Sequence, residues 1–296
     1  MPSVTVLVNP MAGGAGTQGL DGEIVKLFAA AAWQAETRVL RKEQDPADAA
    51  RAASARASVV VAAGGDGTVS RVAAGVIDTA ATLGILPLGT RNHFAKDLHI
   101  PLELDRAVAT IAAGRLGRAD VGQVNDRLFV NNSSIGLYPS IVDARDELRR
   151  RGHWKWMAMA IATARVLRRY RGVHVRIDVD GRERVWRTPF VFVGNNEYTL
   201  DGINLGSRVS LEGGKLFVYV TPRVHTRDLP RLLVKAIAGR AGRSGDFEIV
   251  SAAELRIDTR RPRTVRVALD GEVAKMEAPL RYRTRPGALK VLLPRA

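Results

Sequence analysis

The stretch that most constrains the fold runs from Val59 to Thr68 and reads Val-Val-Val-Ala-Ala-Gly-Gly-Asp-Gly-Thr. A short apolar run stops at a glycine cluster, and Val69, Val72, Ala73, Val76 and Ile77 then follow at helical spacing. The pattern predicts strand, tight turn, helix. Glycine lets the backbone turn sharply and lets a ligand come close, because no Cβ intervenes. Free N–H groups at a helix start attract phosphate. Asp66 is the discordant residue, since an anion beside a phosphate repels it. A divalent cation between them, or a sugar hydroxyl held by Asp66, removes the conflict. The plainer alternative is an ordinary βα turn with an aspartate cap.

The segments around this turn repeat its alternation. Val4–Val8 reads as a buried strand ending in a second glycine-rich loop, Asn9–Gly16. A helix over about Leu20–Ala32, a strand at Glu36–Leu40 and a helix from Asp45-Pro46 to about Arg56 follow. Asp45 sits at the cap and Pro46 at the first helical position. After the organising turn, Leu83–Pro87 reads as a strand leading into Leu88-Gly89-Thr90-Arg91-Asn92. A helix near Leu104–Ala113 and a strand near Arg118–Val121 finish the block. Alternation of this kind predicts a parallel sheet covered on both faces, with ligands beyond the carboxyl ends of its strands. Asn9–Gly16, Gly64–Thr68 and Gly89–Asn92 all follow strands and should share one rim.

From Val124 onward strand-like runs dominate: Leu128–Asn131, Val173–Val179, Val185–Val193, Lys215–Val220, Glu248–Ile257, Thr264–Leu269 and Leu289–Leu293. Helices are expected only near Trp154–Arg169 and Asp228–Gly239. The fold class expected is therefore α/β, a Rossmann-like parallel-sheet domain over 1–122 followed by an antiparallel β-sandwich over 123–296. The last residues are candidates to pack back on the first domain.

Charge divides the chain at the same place. The net charge is +15, yet residues 1–122 carry 12 basic and 12 acidic side chains, against 33 and 18 in the remainder. A neutral first half joined to a basic second half suggests separate partners, with anionic membrane and nucleic acid the two candidates for the basic part. The chain has no cysteine, which excludes disulfides and thiolate chemistry and suits a reducing interior. Met1-Pro2-Ser3 runs into the first strand without signal-peptide features, so a cytoplasmic location is expected. Apolar windows such as Met157–Ala164 are too short to span a bilayer. The histidines show no metal-binding spacing.

The segment Arg149–Arg171 holds Arg149, Arg150, Arg151, Lys155, Arg165, Arg168, Arg169 and Arg171 and no acid, with Trp154, Trp156, Met157, Met159 and Ile161 between them. Tryptophan and arginine around a short apolar helix suit a water–lipid interface. A helix covering its own domain, with solvated basic ends, explains the segment equally well. Leu229–Ile237 is a weaker candidate of the same kind.

Further motifs stand in order along the chain. They are Asn9-Pro10 with Ala12-Gly13, Gly64-Gly65-Asp66-Gly67-Thr68, Leu86-Pro87-Leu88-Gly89-Thr90-Arg91-Asn92-His93-Phe94-Ala95, Asn131-Asn132-Ser133-Ser134-Ile135-Gly136, Val193-Gly194-Asn195-Asn196 and Leu269-Asp270-Gly271-Glu272. Together they resemble the diacylglycerol kinase catalytic-domain family, which includes bacterial lipid kinases and the sphingosine and ceramide kinases. NAD kinases and phosphofructokinases share the Gly-Gly-Asp-Gly turn more distantly. The resemblance implies a two-domain ATP-dependent kinase with Mg2+, a lipid alcohol as substrate, and an active site in the cleft between domains. By position, Asn9, Pro10, Gly64, Gly65, Asp66, Gly67, Thr68, Gly89, Thr90 and Asn92 would hold the nucleotide. Asp66 would face the magnesium, directly or through water. Asp270 matches the family's proposed general base, and Glu272 its neighbouring acid. Many members carry an aspartate after the asparagine of the third motif, where this chain has His93.

Each assignment has a plainer counterpart. Asn9 and Asn92 could be turn asparagines at strand ends. Asp270-Gly271 could be a hairpin turn, which Asp-Gly forms constantly. No Gly-x-x-x-x-Gly-Lys-Ser/Thr is present, so this is not a P-loop of that type. A peripheral membrane kinase is expected, with no specific nucleic-acid partner, and a homodimer is left open. Asp66→Ala and Asp270→Ala are each expected to abolish activity in a folded protein. The competing functions are an NAD kinase-like enzyme and a non-catalytic basic protein binding nucleic acid or lipid. Asn196-Glu197 lies too far past the glycine turn to favour the first.

Overall fold

The computed structural model describes residues 1–10, 19–41, 43–150, 154–169, 172–179, 181–201, 204–221, 248–259 and 263–295. The chain forms two compact units, Met1–Val121 with Arg285–Ala296, and Gly122–Thr284. The chain leaves the first unit within one strand and returns to it within another. Most of the loop Asn9–Gly16, and the helix expected near Asp228–Gly239, lie outside the described residues.

The first unit alternates strand and helix: β1 (Ser3–Val8), α1 (Leu20–Ala30), β2 (Gln34–Val39), α2 (Pro46–Ser54), β3 (Val59–Gly64), α3 (Asp66–Val76), β4 (Thr82–Pro87), α4 (His93–Asp97), α5 (Leu104–Ala113) and the start of β5 (Arg115–Val124). The strands lie in the order β2-β1-β3-β4, all parallel. The end of the last strand, β18 (Leu280–Leu293), adds alongside β4 in parallel, with Val291 opposite Leu83. All six residues of β3 are buried, as expected of a central strand with helices on both faces. α2 packs on α3 and α1 on α5. Asp45 caps α2, its Oδ1 accepting from the Ala47 N–H at 2.9 Å, with Pro46 at the first helical position. The order 2-1-3-4 places a topological switch between β1 and β3, where α/β sheets open a crevice at the carboxyl ends of their strands. Asn9 and Gly65 stand at that point.

The second unit is a sandwich of antiparallel strands. One sheet has the order β14 (Glu248–Ala252), β13 (Leu216–Val220), β10 (Phe190–Asn195), β7 (Asn132–Gly136), β16 (Thr264–Leu269), β17 (Glu272–Glu277). The other runs from the start of β18 through β15 (Glu254–Thr259) and β8 (Val173–Val179) to β9 (Arg182–Thr188). One apolar core fills the space between them. Ile135, Val193, Val218 and Val267 come from the first sheet, and Ile177, Trp186, Ile257 and Tyr282 from the second. β6 (Arg127–Phe129) pairs with the end of β5, and β11 (Tyr198–Asp201) with β12 (Asn204–Arg208). Two helices follow β7, α6 (Leu137–Arg150) and α7 (Lys155–Arg169).

Several boundaries differ from the sequence expectations. The run Val185–Val193 is two strands, β9 and β10, because Pro189 has no N–H to continue a ladder. Glu248–Ile257 is likewise two strands, β14 and β15, in opposite sheets. α6 was not expected, since Pro139-Ser140 near its start reads as a turn. β17 was missed because Glu-Val-Ala-Lys-Met-Glu carries little strand signal. β18 begins at Leu280, well before the expected Leu289.

Candidate functional site

The three loops that follow β1, β3 and β4 are bonded to one another. The Asn9 N–H donates to the Ala63 carbonyl at 3.0 Å, and Asn9 Nδ2 donates to Thr68 Oγ1 at 2.6 Å. Thr68 is buried in the first turn of α3, so the first loop is fixed to the start of that helix. The Leu88 N–H donates to the Gly64 carbonyl at 3.0 Å, which extends the β3–β4 ladder into the third loop. Gly65 and Gly89 then meet backbone to backbone. A Cβ on Gly89 would lie 2.4 Å from the Gly65 Cα and 2.7 Å from Asn92 Oδ1. No other residue fits there, and the loops meet without an intervening side chain.

Asp66 completes the arrangement. Its Oδ1 accepts from the Phe94 N–H at 3.1 Å, so the odd acid of the glycine turn caps the short helix after the third motif. This link between the two motifs was not read from the sequence. Oδ2 takes no bond from a described residue. α3 starts at Asp66 without a side-chain cap, leaving first-turn N–H groups available to an anion.

Asn92 behaves as the turn asparagine. It is buried, in the left-handed region at φ 50°. Its Oδ1 accepts from the Gly89 N–H at 3.0 Å, and its Nδ2 donates to the carbonyls of Pro87 at 3.1 Å and Gly89 at 2.7 Å. These three bonds shape the loop. Thr90, Arg91 and His93 are exposed beside it. Pro10 is half-buried, and the rest of its loop lies outside the described residues.

In the second unit, Asp270-Gly271 is the two-residue turn of the β16–β17 hairpin. Leu269 stands opposite Glu272, and both turn residues have positive φ, 47° and 93°. The Asp270 carboxylate is nonetheless not idle. Oδ1 accepts from the N–H groups of Asn131 at 2.8 Å and Asn132 at 2.9 Å, and Oδ2 from that of Val130 at 2.8 Å. The Asp270 N–H returns a bond to the Asn132 carbonyl at 2.9 Å. Glu272 is exposed at the first position of β17.

The turn that Asp270 holds by its donors is held by its acceptors from Arg208, which the sequence reading missed. Arg208 is buried. Its guanidinium donates to the Val130 carbonyl at 2.6 Å and to Asn131 Oδ1 at 3.1 Å, and stacks over the Tyr198 ring. Tyr198 Oη donates to the Asn131 carbonyl at 3.1 Å, and Asn195 Nδ2 to that of Val130 at 2.9 Å. The Asn131-Asn132 and Asn195-Asn196 motifs thus meet in one buried polar cluster. Desolvation raises the Tyr219 phenol above its ordinary value, against the bond it makes to the Tyr198 backbone. Burial does the same more strongly for Tyr282, against its bond with Ser133, 2.9 Å away.

Among the described residues no group of three His, Cys, Asp or Glu side chains could hold a metal ion. A single carboxylate nevertheless suits Mg2+, which keeps waters and takes one or two protein carboxylates plus substrate phosphates. The glycine corner at Gly65 and Gly89 and the open N-terminus of α3 suit a phosphate chain in the same way. No described helix is long and apolar enough to cross a membrane.

Comparison with known proteins matches both units. Residues 3–124 match the family model of the diacylglycerol kinase catalytic domain, and residues 136–293 that of the YegS C-terminal NAD kinase beta sandwich-like domain. A protein of Pseudomonas putida named "Probable lipid kinase YegS-like" is 30% identical over 251 residues, covering 83% of this chain and 80% of that protein. The diacylglycerol kinase of Bacillus subtilis is 25% identical over 281 residues, 93% of this chain and 91% of that one. A crystal structure of a diacylglycerol kinase from Bacillus anthracis superposes with a TM-score of 0.72 at 21% identity, covering 98% of this chain and 96% of that chain, which shows the shared fold.

Proposed function

The chain belongs to the diacylglycerol kinase catalytic-domain family, with the YegS-type β-sandwich as its second domain, and from that membership we propose that it transfers the γ-phosphoryl group of ATP to the hydroxyl of a lipid alcohol at a membrane surface. Diacylglycerol or a related alcohol is the acceptor. The observation that carries the proposal is the fastening of three strand-end loops through Asn9–Thr68, Asp66–Phe94 and Gly65–Gly89. Such a rim offers backbone donors and no side-chain bulk at a sheet's switch point, which is what a polyphosphate requires.

Phosphoryl transfer through a loose transition state asks mainly for positioning and charge neutralisation. Gly64, Gly65, Gly67 and Gly89 give the phosphates access to the backbone, with Asn9, Pro10, Thr68 and Thr90 around them. Asn92 acts one step back, by holding the Gly89 turn. Asp66, fixed by Oδ1 and open at Oδ2, is the residue that would hold Mg2+ through water. Bound Mg2+ supplies charge neutralisation at the β- and γ-phosphates.

Asp270 receives the proton of the acceptor hydroxyl, with Glu272 as its neighbouring acid. Three backbone N–H bonds fix the position of the Asp270 carboxylate. That fixed position suits a reaction that asks mainly for positioning of the nucleophile. Membrane association is peripheral and on the cytoplasmic side, where ATP is available.

The test is incubation with labelled ATP and, separately, diacylglycerol, a long-chain base, ceramide and NAD, followed by chromatographic separation of products. A phosphorylated lipid is expected, and Asp66→Asn, which keeps the acceptor for Phe94 but loses the charge, should reduce its formation to background. Phosphorylation of NAD with no lipid product would overturn the proposal.

A further inference from the structure

α7 is built the wrong way round for a helix that only covers its own domain. Among its described side chains, those packed toward α6 are small, with Ala158 and Ala162 fully buried against Leu148 and Ala144. Those on the outward face are large. Trp154, Met157 and Ile161 are 70%, 46% and 36% exposed. The Trp154 carbonyl accepts from the Ala158 N–H at 2.8 Å, so Trp154 is anchored at the helix start and its exposure is not that of a loose tail. Spacings of three and four residues put 154, 157 and 161 on one stripe, continued by exposed Ala164 and Arg165. Burial normally removes the larger apolar side chains from water first, because the gain scales with area. A chain that packs alanine and exposes tryptophan, methionine and isoleucine keeps that stripe for something else.

We propose that the outward face of α7, Trp154, Met157 and Ile161 with Arg165 beside them, is a docking surface for an anionic lipid bilayer. The choice of occupant rests on charge complementarity. From Arg149 to Arg171 the sequence has eight basic residues and no acid, and an anionic leaflet attracts each basic group held near it. Tryptophan at a helix end with arginine alongside is the composition of a membrane interface. α7 has 15 residues, so it lies along such a surface and does not cross it. The inference deepens the membrane-surface part of the proposed function and rests on it, since an enzyme acting on a bilayer-held alcohol must reach its substrate there.

The test is cosedimentation of the full chain with vesicles of phosphatidylcholine alone, and of phosphatidylcholine with phosphatidylglycerol. It is run on wild type, on Met157→Glu with Ile161→Glu, and on Arg165→Glu, all at exposed positions. Wild type is expected to bind the anionic vesicles preferentially. The double variant should lose at least tenfold in affinity and Arg165→Glu should lose less. Phosphorylation of a water-soluble short-chain diacylglycerol should be unchanged in both. Equal vesicle binding by wild type and the double variant, or no binding by wild type, overturns the proposal. So does a wild-type dimer in light scattering that the double variant converts to a monomer with vesicle binding intact, which would make the face a contact between two copies. If the short-chain substrate yields no product while the vesicle difference is present, docking stands and the kinase proposal fails instead.

Discussion

Replacing Asp270 by alanine tests whether the hairpin acid is a structural clamp as well as a chemical group. Three backbone donors converge on its carboxylate, from Val130, Asn131 and Asn132, at 2.8, 2.8 and 2.9 Å. Val130 and Asn131 are 1% and 5% exposed, so water cannot readily replace the lost acceptors. A hydrogen bond to a charged group contributes about 1.5–3 kcal/mol, and a buried donor left unpaired costs about 1–3 kcal/mol. The three share one turn and do not add independently, which gives about 3–6 kcal/mol for the set. Against a domain stability of about 5–15 kcal/mol, that loss leaves the second unit marginal. The expectation drawn from the sequence, that Asp270→Ala is inactive yet folded, is therefore revised to inactive and strongly destabilised. Asp270→Asn keeps an acceptor for the Asn131 and Asn132 N–H groups but sets its amide N–H2, a donor, against the Val130 N–H, so its loss should be smaller. Urea unfolding followed by tryptophan fluorescence reads the effect, because Trp154, Trp156 and Trp186 all belong to the second unit. A change below about 1 kcal/mol for Asp270→Ala would refute the clamp. Turnover of both variants, measured well below their unfolding midpoints, then separates the roles. Lost turnover in a folded Asp270→Asn protein supports proton acceptance, and retained turnover leaves only the clamp.

Gly89→Ala drives a Cβ to 2.4 Å from the Gly65 Cα, backbone against backbone, and overpacking of this kind costs about 1–3 kcal/mol. It should weaken ATP binding at least tenfold by calorimetry, and unchanged affinity would remove the glycine corner from the nucleotide site. Arg208→Met removes both donors to the 130–131 turn and the stack on Tyr198. Thermal unfolding should shift down and the short-chain KM and kcat should both change, whereas an unaltered melting curve would show the cluster to be dispensable. At Asp78 the hydrogen bond from Arg285 is the largest influence and holds the carboxyl below its ordinary value of 3.8, with desolvation opposing it. The folded value is depressed, so the pair stabilises above the unfolded value and that contribution is lost as pH falls through the folded one. Asp78 is largely exposed, so the effect is under about 1 kcal/mol. The urea midpoints of wild type and Asp78→Asn should differ slightly at neutral pH and converge at pH below 3.8. A gap that widens on acidification would contradict the assignment.

What the sequence discloses about this molecule and what it hides differ in kind. The rim of strand-end loops was legible because a parallel strand ends where its apolar run ends, and a glycine cluster just beyond an apolar run marks that end without any tertiary knowledge. Val59–Gly64 and Leu83–Pro87 each carry that mark, and chain connectivity then brings Asn9, Gly65 and Gly89 to one rim. The bond from the Phe94 N–H to Asp66 was not legible, because it spans 28 residues and depends on where α4 begins. Arg208 was hidden for the same reason, and more deeply. An arginine in Asn-Leu-Gly-Ser-Arg carries no local signal, and only the folded sandwich brings it to the carbonyl side of a turn whose donors Asp270 already holds. Asp270-Gly271 shows a third case. The hairpin turn was one of its two readings along the chain, and the structure adds to that turn a clamp that the sequence did not show. A left-handed backbone at Asp270 closes the hairpin, and the same residue's carboxylate accepts from the asparagine turn. A position that must supply both positive φ and a negative charge narrows the choice to aspartate, since glycine offers only the first and glutamate tolerates the left-handed region poorly. The hairpin and the clamp therefore constrain Asp270 together, and a substitution there cannot test the proposed proton acceptance without disturbing the fold unless stability and turnover are measured on the same protein.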